Sequence, residues 1–193
     1  MNKLFKDLIS IGLFVWIVAM IPVLTNSGVT LNFVMMALFA CLIAQAWNVL
    51  GGFGGQFSFG HALFFGTGAY FQAIAQISWG WNPWLALPCA MLVAGLVGAW
   101  VGALSFRYGL KGSYFALVTL AFAEVFRIVS LSVPFTGAGV GLMLPLNESW
   151  TNMQFGSRAG FVWLVLGLVT LALCVTAYLR NSRFGAYLQA VRD

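Results

Sequence analysis

Two charged residues stand inside an otherwise apolar run. Glu124 and Arg127 lie in Ser113–Val133, a stretch with eleven Leu, Ile, Val and Phe residues. Three residues apart, they share a helix face and neutralise each other. On a membrane-insertion scale the eleven apolar side chains supply roughly −3 to −7 kcal/mol, and two central charges nearly cancel that gain. Such a helix is marginal alone and inserts with partners, its charged face turned inward. An ion pair at membrane depth is a functional-site hypothesis by default. A structural clamp between helices explains it equally well.

A second cluster of polar side chains sits in the glycine-rich run Gly51-Gly-Phe-Gly-Gly-Gln-Phe-Ser-Phe-Gly-His61, which continues to Gly66-Thr-Gly-Ala-Tyr70. Gln56, Ser58 and His61 fall within six residues of one another. Glycine lets backbones approach closely, and at membrane depth irregular backbone survives only where protein or a water-filled cavity covers it. Two readings stand side by side: tight helix packing with the polar groups bonded to nearby backbone, or a broken helix lining a solute path. His61 lacks a Cys, Asp or Glu neighbour to complete a metal site, so a structural hydrogen bond suits it best.

Other features are plainer. Ala94, Gly98 and Gly102 recur at spacing four, a small-residue face for close helix packing. Thr136-Gly-Ala-Gly-Val-Gly141 has alternating glycines but no preceding strand and no following GKS/T, so it reads as a flexible loop. In the tail, Phe184, Leu188 and Val191 recur at helical spacing among Arg180, Arg183 and Arg192. That stripe suits a membrane surface or a partner's groove. Cys41, Cys89 and Cys174 lie in apolar runs without metal-ligand spacing and read as small buried hydrophobes. The chain has no catalytic constellation, no metal-ligand set and no P-loop. It is not read as an enzyme, it binds no cofactor of its own, and any ATP-driven work needs another subunit.

The elements that must position these residues are membrane helices. Apolar residues make up 62% of the 193-residue chain and charged ones 7%, against about 25% charged in an ordinary soluble domain. So few charges cannot cover a soluble surface. The net charge of +5 then fixes topology and does not imply nucleic acid as a partner. With about 20 residues per crossing, spans are expected at 8–24, 30–50, 59–77, 84–105, 113–133 and 161–179. The fold class is all-α: a polytopic transmembrane helical bundle of about six segments in one membrane domain, the third Gly-rich and open to being broken. Lys3 and Lys6 precede an apolar run longer than a secretory h-region, with no A-x-A site after it, so the first helix is read as retained. With the N-terminus cytoplasmic, Lys3, Lys6, Arg107, Lys111, Arg180, Arg183 and Arg192 fall inside and Arg158 outside. Both termini are then cytoplasmic. Trp79, Trp81 and Trp84 mark an external boundary as an aromatic belt would.

At these motifs the chain resembles a permease subunit of a branched-chain amino-acid ABC transporter, of the bacterial LivM type. The run from Asn48 to Tyr70 is similar to that family's G-Q-x-S-x-G-H-A-x-F-x-G-x-G-A-Y signature. Tyr114-Phe-Ala-Leu-Val-Thr-Leu-Ala-Phe122 is similar to its Y-F-A-x-V-T-L-A-F helix, and Thr136-Gly137 with Gly141-Leu142 to its T-G-G-x-x-G-L loop. Ser182-Arg-Phe-Gly185 and Ala190-Val-Arg-Asp193 resemble the segment before the cytoplasmic EAA-type loop. Ala138 replaces the second loop glycine, Leu63 stands where a small residue is usual, and Ala186 replaces the usual Arg. The family continues past this point, so the chain reads as the N-terminal portion of a permease.

The resemblance implies part of a translocation path for branched-chain amino acids across a bacterial inner membrane, or for urea or short amides as close relatives carry. Gln56, Ser58, His61, Thr119, Glu124 and Arg127 are its candidate path residues. Arg183, Phe184, Leu188 and Arg192, in residues 180–193, are candidates for coupling to ATPases. The implied partners are a second, LivH-like permease subunit, two cytoplasmic ATPases that use the ATP, a periplasmic binding protein and membrane lipid. Two rival classes remain: an ion-coupled secondary transporter using Glu124, and a non-transporting membrane scaffold.

Overall fold

A computed structural model describes residues 3–192, with the side chain of Val191 outside the description. The described chain is helical, with no named β-strand. In order it runs α1 (Lys3–Leu24), α2 (Gly28–Trp47), a π turn (Asn48–Phe53), α3 (His61–Ile77), α4 (Pro83–Arg107), α5 (Ser113–Ser132), α6 (Arg158–Asn181) and α7 (Arg183–Arg192). Five segments have the length and composition of a membrane crossing: α1, α2 with its π turn, α4, α5 and α6. The remaining expected span, the third, is α3. It has 17 residues, about 25 Å at 1.5 Å per residue, at the short end of what crosses a bilayer.

The boundaries follow local chemistry. α1 begins at Lys3, five residues before the expected apolar start, because lysine is a good helix former and its head reaches water from the helix end. α2 keeps α geometry only to Trp47; the expected span to Leu50 ends in the π turn. α3 starts at His61 because residues 54–60 are not helical. Gly55 holds a φ of +63°, the left-handed region that glycine enters freely. α4 is started by Asn82, whose side-chain oxygen accepts the Trp84 N–H at 2.9 Å, with Pro83 following as first helical residue. α6 takes in Arg158 at its start and Arg180 near its end. A break at Ser182 separates it from α7.

The chain divides into two compact units. One holds α1, α2, the π turn, α6 and α7. Its core is Leu31 and Leu38 of α2 against Val162, Leu166 and Val169 of α6, with Val15 and Val18 of α1 packed on it. Its polar contacts fix helix direction. Arg158, which opens α6, donates to the carbonyl of Gly28, which opens α2, at 3.4 Å. At the other end Thr176 of α6 meets Gln45 of α2 at 3.3 Å. There too Asp7 of α1 accepts from Arg180 at 3.4 Å and Asn181 at 3.0 Å. So α2 and α6 run parallel and α1 runs against both. Two parallel crossings need an odd number of crossings between them. α3, α4 and α5 supply that number only if α3 also spans.

The other unit holds α3, α4, α5 and the loop that follows. Small residues bring α3 and α4 together, as the spacing of Ala94 and Gly98 predicts: Gly68 lies against Ala90 and Ala94, and Gly98 against Phe64. Gly102 meets only Phe106 of its own helix. Phe71 meets Trp79 and Trp81 edge-on, the two indoles being tilted to one another, and the Trp84 indole donates to the Trp150 carbonyl at 2.7 Å. The run expected to be a flexible loop forms two 3-10 turns, Pro134–Thr136 and Ala138–Val140.

Candidate functional site

Four of the candidate path residues meet at the entrance to α3. Ser58 and Thr119 are buried, 2% and 1% exposed. The Thr119 hydroxyl accepts the Phe59 N–H at 3.3 Å and donates to the Ala116 carbonyl at 2.9 Å. Ser58 Oγ accepts the Gly60 N–H at 3.2 Å, and the His61 ring lies 3.2 Å from the Ser58 carbonyl. Gln56 accepts the Gly112 N–H at 3.2 Å. Gly60 has no Cβ because there is no room: one would stand 2.6 Å from the Thr119 carbonyl oxygen. These side chains therefore satisfy backbone groups that a non-helical segment leaves open, which a water-free surrounding demands. That is the packing reading of the run, and the polar atoms of these four do not line the groove described next.

That groove lies within the same unit. It has a volume of about 780 Å³. Ala62, Gly66, Thr67 and Tyr70 form its α3 wall, with Phe59 just before that helix, and Leu120, Glu124, Arg127 and Ser130 form its α5 wall, with Thr136 beyond. Leu120, Glu124 and Arg127 are spaced by four and three residues, so one helix face carries all three. Arg127 donates from Nε to Glu124 Oε2 at 2.9 Å and from Nη2 to Oε1 at 2.6 Å, a side-on fork. The expected shared face and mutual neutralisation are thus both present. The side chains remain 59% and 53% exposed. Among the described residues the pair closes within one turn of α5 and ties no second helix, so within this chain it is not the clamp that was one of the two readings. Thr67, Tyr70, Ser130 and Thr136 were not among the path residues expected from the sequence, although Thr67, Tyr70 and Thr136 fall in its motifs. Only Ala62, Gly66 and Tyr70 at spacing four hinted that α3 turns one face to this space.

The tail candidates sit on α7, in the other unit. Ser182 Oγ accepts the Gly185 N–H at 3.1 Å and starts the helix. Phe184 is 60% exposed and Leu188 is half-buried. Arg183 is exposed. Arg192 folds back and donates from Nη1 to the Gly52 carbonyl at 2.8 Å, its stem passing over Gly55. Val191, the third member of the expected stripe, has its side chain outside the described residues, and Asp193 lies outside them entirely. Among the described residues no His, Cys, Asp and Glu cluster has metal-site spacing. Cys41, expected to be buried, is exposed within this chain, while Cys89 and Cys174 are half-buried.

Residues 29–193 match the family model described as branched-chain amino acid transport system / permease component. The high-affinity branched-chain amino acid transport system permease protein LivM of Escherichia coli (strain K12) is 32% identical over 139 residues, covering 72% of this chain and 32% of that protein. The LivM protein of Salmonella typhimurium (strain LT2) is 32% identical over 196 residues, covering 89% of this chain and 45% of its own length. The chain thus spans less than half the length of the curated relatives it matches. No solved structure matches it.

Proposed function

The chain belongs to the permease family of branched-chain amino acid transport systems, and from that premise we propose that it forms part of the translocation path of an ABC importer for branched-chain amino acids. Family members are transport permease components and not enzymes. In the proposed assembly a second permease subunit completes the membrane part. Two cytoplasmic ATPases supply the energy, and a periplasmic binding protein delivers the solute. The membrane is the bacterial inner membrane, with both termini cytoplasmic.

One observation carries the reading beyond the family match. The groove of α3 and α5 is walled by apolar side chains and contains one ion pair on an open face. Charges at membrane depth face a solute path or protein, and pockets for small solutes combine apolar walls with few polar groups. The test is uptake of labelled leucine by membrane vesicles carrying the full-length permease with its partners. Uptake should require enclosed ATP and the binding protein and should survive a protonophore. ATP-independent, protonophore-sensitive uptake would instead establish the ion-coupled reading, in which Glu124 carries the coupling ion.

A further inference from the structure

We propose that Glu124 and Arg127 are exchangeable partners for a zwitterion. The pair opens as an α-amino acid enters the groove, Arg127 taking the carboxylate and Glu124 the ammonium. The inference rests on the permease reading above and adds the residues that set which charge state the path admits.

Three features of the groove lead there. First, the pair stands on the open wall with both side chains more than half exposed, so a solute can reach it. Second, the fork uses Arg127 Nε and Nη2 on one carboxylate. Arginine binds any carboxylate in this planar geometry, so a substrate carboxylate can replace that of Glu124 without moving the guanidinium far. Third, three of the neighbouring hydroxyls, those of Thr67, Ser130 and Thr136, donate to backbone. Thr67 donates to the Leu63 carbonyl at 2.8 Å, Ser130 to the Arg127 carbonyl at 2.8 Å and Thr136 to the Ser130 carbonyl at 2.7 Å. The ion pair and the Tyr70 hydroxyl are left to read a polar solute, while Phe59, Ala62, Leu120 and Phe126 line the groove with apolar surface suited to an aliphatic side chain.

Charge bookkeeping then selects the solute. Removing one partner from an ion pair at membrane depth leaves a charge there without compensation, a costly outcome. A zwitterion brings both signs, so each protein charge keeps a partner throughout the exchange. A neutral amide brings neither, and a monovalent ion leaves one protein charge alone. Two new pairs, set against the broken pair and the hydration that the zwitterion gives up, bring the exchange near balance. A transport path needs that balance, since its solute must enter and also leave.

The experiment is a charge swap in the full-length transporter with its partner subunits. Glu124→Gln and Arg127→Gln each remove one charge. Glu124→Arg with Arg127→Glu restores a pair of reversed polarity. Leucine uptake and membrane abundance are measured together. We expect uptake to fall about tenfold or more in each single variant. It should stay low in the swap, whose abundance returns to that of the unmodified protein. Recovery of uptake in the swap would make the pair a purely structural unit and overturn the proposal, leaving the permease reading intact. An unmodified transporter that carries acetamide and not leucine would sink both. A second measurement needs no variant: the thermal midpoint of the unmodified full chain in lipid nanodiscs. Leucine should raise it, whereas leucinamide and 4-methylpentanoate, each with one charge, should not. Equal shifts with all three, or none with leucine, also overturn the proposal.

Discussion

Arg192, in the last turn of α7, donates to the carbonyl of Gly52 in the π turn at 2.8 Å. The two residues are 140 positions apart, yet they lie in one compact unit. A π turn leaves carbonyls poorly matched to intrahelical donors, and a guanidinium is well suited to satisfy one. The helix proposed to face the ATPases is thereby tied to the irregular segment that ends α2.

Arg192→Ala should loosen that tie. Amide protection in α7 is expected to fall about tenfold by hydrogen exchange, with membrane insertion unchanged. Phe184→Ala provides the contrast, because Phe184 is exposed. It should leave α7 protection intact and weaken co-purification of the ATPase. Unchanged ATPase association in Phe184→Ala would leave α7 a lipid-resting helix.

Gly60→Ala should destabilise the entrance of α3. The added methyl would stand 2.6 Å from the Thr119 carbonyl oxygen and 3.0 Å from its Cβ. Overpacking against backbone costs about 1–3 kcal/mol, read as a lower thermal midpoint in nanodiscs. Gly95→Ala is the comparison, since a Cβ there meets nothing within 4 Å. A midpoint in Gly60→Ala no lower than in Gly95→Ala would show that the close approach has slack.

Topology is the third point of test. Parallel α2 and α6, with α1 running against both, require α3 to cross along with α4 and α5. Reporter fusions after Gly28 and after Ser149 should read external, and one after Gly109 internal. An external reading at Gly109 breaks the scheme, and with it the basic-residue count that predicts two cytoplasmic termini.

How much of this was legible in the sequence depended on range. The long helices were, because runs such as Leu8–Leu24 have no alternative to a hydrocarbon surrounding. The ion pair was, since spacing three fixes a shared face whatever surrounds it. The particular partners of Ser58 and Thr119 were not. A hydroxyl in an apolar run has no pattern that names its partner, and the Phe59 N–H that Thr119 accepts lies 60 positions away. The groove was invisible for the same reason, being made by α3 and α5 together. The π turn was signalled only as excess glycine, which frees the backbone without stating the register it takes.

Ala138 illustrates a local rule broken in a legible way. It stands where the resembled loop has its second glycine, and its φ is +47°. Gly137 before it also lies in the left-handed region, at +78°. An L-residue with a Cβ pays about 1–2 kcal/mol for that conformation, and glycine does not. Against this, glycine loses about 0.4–1 kcal/mol more than alanine in chain entropy on folding. The strain term is the larger, so Ala138→Gly should stabilise the protein by about 0.5–1 kcal/mol. For a chain of this length that raises the thermal midpoint by about 2 °C. Ala138→Val should act in the opposite direction, because β-branching makes the left-handed region costlier still. A midpoint lowered by Ala138→Gly would mean that the methyl of Ala138 makes a contact outweighing the strain.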